Sequence, residues 1–179
     1  MSKRADEILE LAEIEMRRNG FDAVSFRDLA DAIGIKSASV HYHFPTKADL
    51  GKAVVQRYAE AFITGLGAPE EAGSTPAARL DHLARAYQAA FAERGASCLC
   101  AVLGAVQAHL PDVASQEVRA FYERLQAWIV QALEPDASVP PRVVISVLQG
   151  AMILAVATED ASALEEARDS LTRLVKATG

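Results

Sequence analysis

Cysteine is almost missing from this 179-residue chain. Cys98 and Cys100 are the only two, so no disulfide framework is available and the sequence suits a reducing compartment. The chain also lacks a CxxC pair, an HExxH pattern and a Gly-rich phosphate loop, so neither a cofactor nor a metal is expected. A catalytic reading has to pair Cys98 or Cys100 as nucleophile with His82 or His109 as base, on residue type alone. Strand signals, internal repeats and low-complexity tracts are nearly absent. A basic excess is lacking too. The net charge is −6, which by itself does not advertise nucleic-acid binding. The most apolar window, Val143 to Ala157, is interrupted by Ser146, Gln149 and Gly150. It falls short of the roughly 20 residues a membrane helix needs and reads as a buried helix. The start, Met1-Ser2-Lys3-Arg4-Ala5-Asp6-Glu7, carries no apolar stretch or cleavage site. No signal peptide is expected, and the cytoplasm is the expected location.

What the chain does have is apolar material, 51% of its residues, spaced at the helical period. That is enough for a substantial core, and it predicts an all-α fold of about nine helices. Ala5, Ile8, Leu9, Ala12 and Met16 line a first helix, which Asn19-Gly20 stops so that Phe21 packs back. Ser25 with Asp28 forms a capping box for a second helix, whose inner stripe is Phe26, Leu29, Ala30 and Ile33. Gly34 permits a tight turn. A third helix from about Ser37 must end by Phe44, because Pro45 disfavours helical geometry before it. Thr46 with Asp49 makes another capping box, opening a linking helix over about 46–66 in which Leu50, Ala53, Val54 and Ala61 line one side. Residues 67–76 have linker composition. Further helices are expected over 77–94, 97–108, 114–134, 141–158 and 161–177.

Acid sits mainly in the C-terminal part. Up to Gly67 the chain has nine Lys and Arg against ten Asp and Glu; beyond it, nine against fourteen. From Gly34 to Arg57 the balance is basic: Lys36, Lys47, Lys52 and Arg57 face only Asp49, with His41 and His43 between them. A helix, a Gly turn and a short second helix over residues 25–44 is an arrangement that a major groove about 12 Å wide accepts. Val40 and Phe44, four apart, anchor the short helix inward, leaving Ser37, Ala38, Ser39, His41, Tyr42 and His43 for its outer face.

The stretches Phe21 to Ala30 and Ile33 to Leu50, which include Ser37-Ala38-Ser39-Val40-His41-Tyr42-His43-Phe44-Pro45-Thr46-Lys47, strongly resemble the tetracycline-repressor (TetR) family of bacterial regulators. The resemblance covers about the first 60 residues in detail. It implies an N-terminal three-helix helix-turn-helix DNA-binding domain over residues 1–50 and a C-terminal helical ligand-binding and dimerisation domain over 51–179. It further implies that Ser37, Ala38, Ser39, His41 and Tyr42 form the recognition face, and that Ser25, His43 and Lys47 contact phosphate. Arg27 then reaches a base or phosphate, and Lys36 adds charge beside the recognition helix. Many members carry Tyr where this chain has His41 and Gly where it has Ala38, which implies a different base preference or a slightly different approach of the backbone here.

The implied function is a repressor, homodimeric through helices 141–158 and 161–177, that leaves a near-palindromic operator when a small-molecule effector binds. Membranes are not an expected partner. The apolar residues Val143, Val144, Val147, Leu148, Ala151, Ile153 and Leu154, with Leu164, Leu171, Leu174 and Val175, exceed what one small domain buries; this is the independent argument for the dimer. Effector-pocket candidates are Tyr87, Phe91, Cys98, Cys100, Leu103, Gln107, Tyr122, Trp128, Gln149 and Met152, with Phe121 and Leu125 beside them. Gln107, Tyr122 and Gln149 stand out, since a polar head in an apolar stretch wants a partner. Cys98 and Cys100, two apart on an expected helix, point to opposite sides and read as packing residues, with electrophile or oxidant sensing as the alternative. A DNA-binding protein with no ligand is a further alternative.

Overall fold

Caps set the first four helices. In the computed structural model, which describes residues 2–135 and 139–176, Ser2 Oγ accepts from the Ala5 amide at 3.3 Å and opens α1 (Lys3–Asn19). Gly20, at φ +82°, ends α1 while its amide returns to the Met16 carbonyl at 3.0 Å, and Phe21 is buried behind it. Ser25 Oγ accepts from the Asp28 amide at 3.4 Å and starts α2 (Phe26–Ala32). Only this half of the expected capping box forms. Gly34, at φ +67°, makes the turn, and α3 (Ser37–His43) follows with Phe44 extended before Pro45. The second box is complete. The Thr46 amide and hydroxyl both donate to Asp49 Oδ2, at 3.1 and 2.7 Å, and the Asp49 amide donates to Thr46 Oγ1 at 3.1 Å. This opens α4 (Lys47–Leu66).

The stretch expected to be pure linker contains a one-turn helix, α5 (Pro69–Ala72), because Pro69 supplies a helical φ and the Ala68 carbonyl accepts from Glu71 and Ala72. Then come α6 (Pro76–Arg94), α7 (Leu99–Ala105), a 3₁₀ turn at Gln107–His109, α8 (Asp112–Ala132), α9 (Pro141–Thr158) and α10 (Ser162–Lys176). The described residues hold ten α-helices and no strand. The helix expected over 97–108 is shorter at both ends, since after Leu103 the bonds tighten to the i+3 pattern ahead of Pro111. Residues 136–138, within the expected Pro135–Pro141 break, and residue 177, the end of the last expected helix, lie outside the described residues.

The chain forms two compact units: Met1–Glu60 with Leu99–Phe121, and Ala61–Cys98 with Tyr122–Gly179. Compactness therefore groups Leu99–Phe121 with the N-terminal segment, whereas the division at residue 50 is one of expected function. In the first unit, Ile8, Leu9, Ala12, Met16, Val40, Leu50, Val54, Leu103 and Ala114 are fully buried. The second helix departs from its expected stripe: Leu29 and Ala30 are buried, but Phe26 and Ile33 are half-buried. On α4, Ala53 is half-buried and Ala61 exposed; Val55, Tyr58 and Ala59 join Leu50 and Val54 instead. The buried Glu13 carboxylate is held by Arg57 at 3.0 Å and Arg17 at 3.7 Å, and Arg17 also lies over the Tyr58 ring.

In the second unit, α10 packs against α6 and α9. Leu80, Leu83, Ala84, Val144, Leu148, Ala155, Leu164 and Leu171 form its centre. The α9 helix is long and apolar enough to cross a membrane by length and composition, and one face of it, with Val144, Leu148, Met152 and Ala155, is buried in the second unit. It is not buried all round, as expected for the window Val143 to Ala157: Val143, Ile153, Leu154 and Val156 are exposed, as is Leu174 of α10. The α9 helix ends at Glu159 in the left-handed region, and the Asp160 carboxylate then accepts from the Ser162 amide at 2.9 Å, which holds the Asp160 pKa below its ordinary value.

Replacing Asp49 with Ala removes the two bonds that Thr46 donates to its carboxylate and leaves the one from the residue-49 amide to Thr46 Oγ1. Urea unfolding is expected to show a loss of about 1 kcal/mol; an unchanged midpoint would mean that α4 starts equally well without its cap.

Candidate nucleic-acid interface

Seven residues of helix are too few to hold their own shape in water, so the position of α3 comes from its seat. Val40 and Phe44 are buried, and α3 packs on α1 and α2. The Ile35 amide donates to the Ala30 carbonyl at 3.0 Å, fixing the turn between the two helices. The opposite side is open: Ala38, Ser39 and His41 are exposed, and Tyr42 is 83% exposed. Ser37 and His43, assigned to the outer face from sequence, are half-buried.

His41 is less free than its exposure suggests. Its ring lies 4.6 Å from that of Phe26, and Nδ1 is 3.5 Å from the Pro45 carbonyl. A carbonyl only accepts, so this long contact favours the tautomer with hydrogen on Nδ1. Nε2 is then an acceptor, matched to the amino group of adenine or cytosine in a major groove.

The phosphate candidates have structural duties. Ser25 caps α2 and keeps a hydroxyl hydrogen to donate. Lys47 donates to the Asp22 carbonyl at 2.9 Å and sits 4.9 Å from the centre of the Phe21 ring. Neither partner is a carboxylate, and the two contacts hold the ammonium in place. Arg27 is exposed and 3.9 Å from an equally exposed Asp31, a pair of little energetic weight. Lys36 is exposed at the start of α3.

Sequence reasoning missed one cation. Arg4, in the first turn of α1, lines an open groove of about 380 Å³ together with Lys36, Ala38, Ser39, Tyr42 and His43. It is paired with Glu7 at 2.7 Å. A contact between positions more than thirty apart leaves no local pattern to read.

The effector candidates divide between the two units. Tyr87, Phe91, Cys98, Tyr122, Trp128, Gln149 and Met152 fall in the second, with Cys100, Leu103 and Gln107 in the first. Gln107 is exposed in the 3₁₀ turn, so water satisfies it and the argument for a buried polar head does not apply. Trp128 Nε1 donates to the Gly67 carbonyl at 2.8 Å, and the His82 ring donates to the Leu66 carbonyl at 3.1 Å, so the two side chains together hold the end of α4. Cys98 precedes α7 rather than lying on it, so the helical-spacing argument against a Cys98–Cys100 pair does not hold. Both thiols are buried, which favours packing over reactivity. Among the described residues no three His, Cys, Asp or Glu side chains gather into a metal site.

Residues 8–54 match the model of the family described as bacterial regulatory proteins, tetR family. The HTH-type transcriptional repressor KstR2 of Mycolicibacterium smegmatis is 29% identical over 90 residues, 50% of this chain. That match spans only 42% of the repressor's own length. A TetR transcriptional regulator from Legionella pneumophila has a similar structure throughout, with a TM-score of 0.88 at 27% identity over 97% of both chains. A TetR-family regulator from Agrobacterium tumefaciens gives 0.87 at 27% identity, over 95% of this chain and 96% of its own.

Lys47→Ala is expected to weaken binding to all duplexes alike and to flatten the dependence of log affinity on log salt by about one unit. Fluorescence anisotropy at several salt concentrations measures both, and a loss confined to one sequence would assign Lys47 to base readout.

Proposed function

We propose that the chain, whose residues 8–54 match the model of the tetR family of bacterial regulatory proteins, is a cytoplasmic, non-catalytic transcriptional repressor of that family. In this reading it binds a near-palindromic operator as a homodimer and leaves it when a small molecule binds. The carrying observation is α3, a short helix with a buried seat and an exposed face of Ser39, His41 and Tyr42. Ser37, Ala38, Ser39, His41 and Tyr42 meet base edges, Ser25, Lys36, His43 and Lys47 meet the backbone, and Arg27 reaches a base or phosphate. The Mycolicibacterium relative is a repressor, which supports repression over activation.

The exposed Val143, Ile153, Leu154 and Val156 of α9 with Leu174 of α10 support the homodimer, since water-facing apolar side chains in this number favour a second copy. Two recognition helices then enter successive major grooves about 34–36 Å apart on one side of the duplex. An effector bound among the second unit's helices displaces α4, which is continuous with the first unit, and the two heads spread. Moving the population from 1:99 to 99:1 takes about 5.5 kcal/mol of preference for the spread state.

Two results test this reading. Selection of bound fragments from random DNA is expected to return a palindrome, and His41→Ala to relax one position in each half-site by about 1–3 kcal/mol; equal losses on selected and random DNA would remove base readout. Ile153→Asp is expected to give monomers in the ultracentrifuge and to lose operator affinity, whereas an intact dimer would move the interface elsewhere.

A further inference from the structure

Gln149 is a polar side chain placed where its neighbours are apolar. It lies on α9, is 8% exposed, and its Nε2 donates to the Tyr87 hydroxyl on α6 at 3.2 Å. Its Oε1 is buried and accepts nothing. Tyr87 is itself buried and meets the edge of the Phe62 ring of α4, with centroids 5.3 Å apart, and Met152 is buried one turn along α9. All four residues belong to the second unit. An unmatched buried acceptor is costly, and a chain that needed only packing here is better served by leucine.

Resting on the effector reading above, we infer that Gln149 Oε1 is the polar anchor of the effector site, and that the effector is an uncharged, mostly apolar molecule donating one hydrogen bond, such as an aromatic alcohol. The donor requirement follows from the vacant acceptor. The absence of charge follows from the surroundings: among the described residues of the second unit, Ser97 and Gln149 are the buried polar ones, and no Asp, Glu, Lys or Arg is buried there. A charged ligand finds no counter-ion in that interior. The rings of Phe62 and Tyr87 favour an aromatic body. Phe62 also places α4, the helix whose displacement releases DNA, beside the anchor.

The test is calorimetric titration of the full chain with three probes of one shape: 1-naphthol, which donates; 1-methoxynaphthalene, which only accepts; and 1-naphthoate, which is charged. The wild type is expected to bind 1-naphthol about tenfold more tightly than either of the others. Gln149→Leu is expected to bind 1-naphthol and 1-methoxynaphthalene equally, with a melting temperature at or above that of the wild type; Gln149→Met replaces it if the leucine variant melts early. Preference for the ether or the carboxylate, no binding of 1-naphthol, or an unchanged preference in the variant would each overturn the anchor, the last meaning that a buried water satisfies Oε1. Retention of operator by 1-naphthol-saturated protein would instead sink the release reading and leave the anchor standing.

Discussion

The burial of Val40 and Phe44 is the constraint on which the proposed DNA-facing surface depends. The α3 helix covers about two turns, too few for its backbone bonds to compensate the cost of nucleation. Two apolar side chains, one turn apart, hold it against α1 and α2, and Pro45 stops it directly after the second. The left-handed turn at Gly34 delivers the chain to that seat, and the bond from the Ile35 amide to the Ala30 carbonyl locks the delivery. Every exposed side chain of α3 inherits its direction from these few contacts.

Around that seat, residues serve the fold and the interface together. Ser25 closes a helix end and still carries a donor; Lys47 ties α4 to the Asp22 carbonyl through a contact that involves no carboxylate. His41 is steadied by Phe26 and Pro45, so less rotational freedom remains to be lost in the proposed contact with a base. The buried Glu13, held by Arg17 and Arg57, joins α1 to α4 by charge where apolar packing alone would leave their register less defined.

Much of the first unit was legible in the sequence because its signals are local. Ser25, Gly34, Pro45 and the Thr46–Asp49 box each act within four residues, and the helices they delimit lie where expected. What escaped was non-local or depended on exposure. Arg4 meets the α3 groove only through the fold, and Ala61 has the right residue type on the wrong side of α4. Gln107 and Gln149 look alike in sequence, each a glutamine in an apolar stretch; a 3₁₀ turn puts the first in water while α9 buries the second. The short α5 was hidden because its four residues carry the Pro and Glu content of a linker.

The separation between the seat of α3 and its outward face has an evolutionary consequence. Ala38, Ser39, His41 and Tyr42 contribute little to the core, so in the proposed reading exchanging them alters which duplex is read without unsettling the fold that carries them. A duplicated copy of this chain is therefore free to drift toward a new target site through a handful of viable intermediates, each still folded. Diversification of regulatory circuits from one ancestral protein needs that kind of independence.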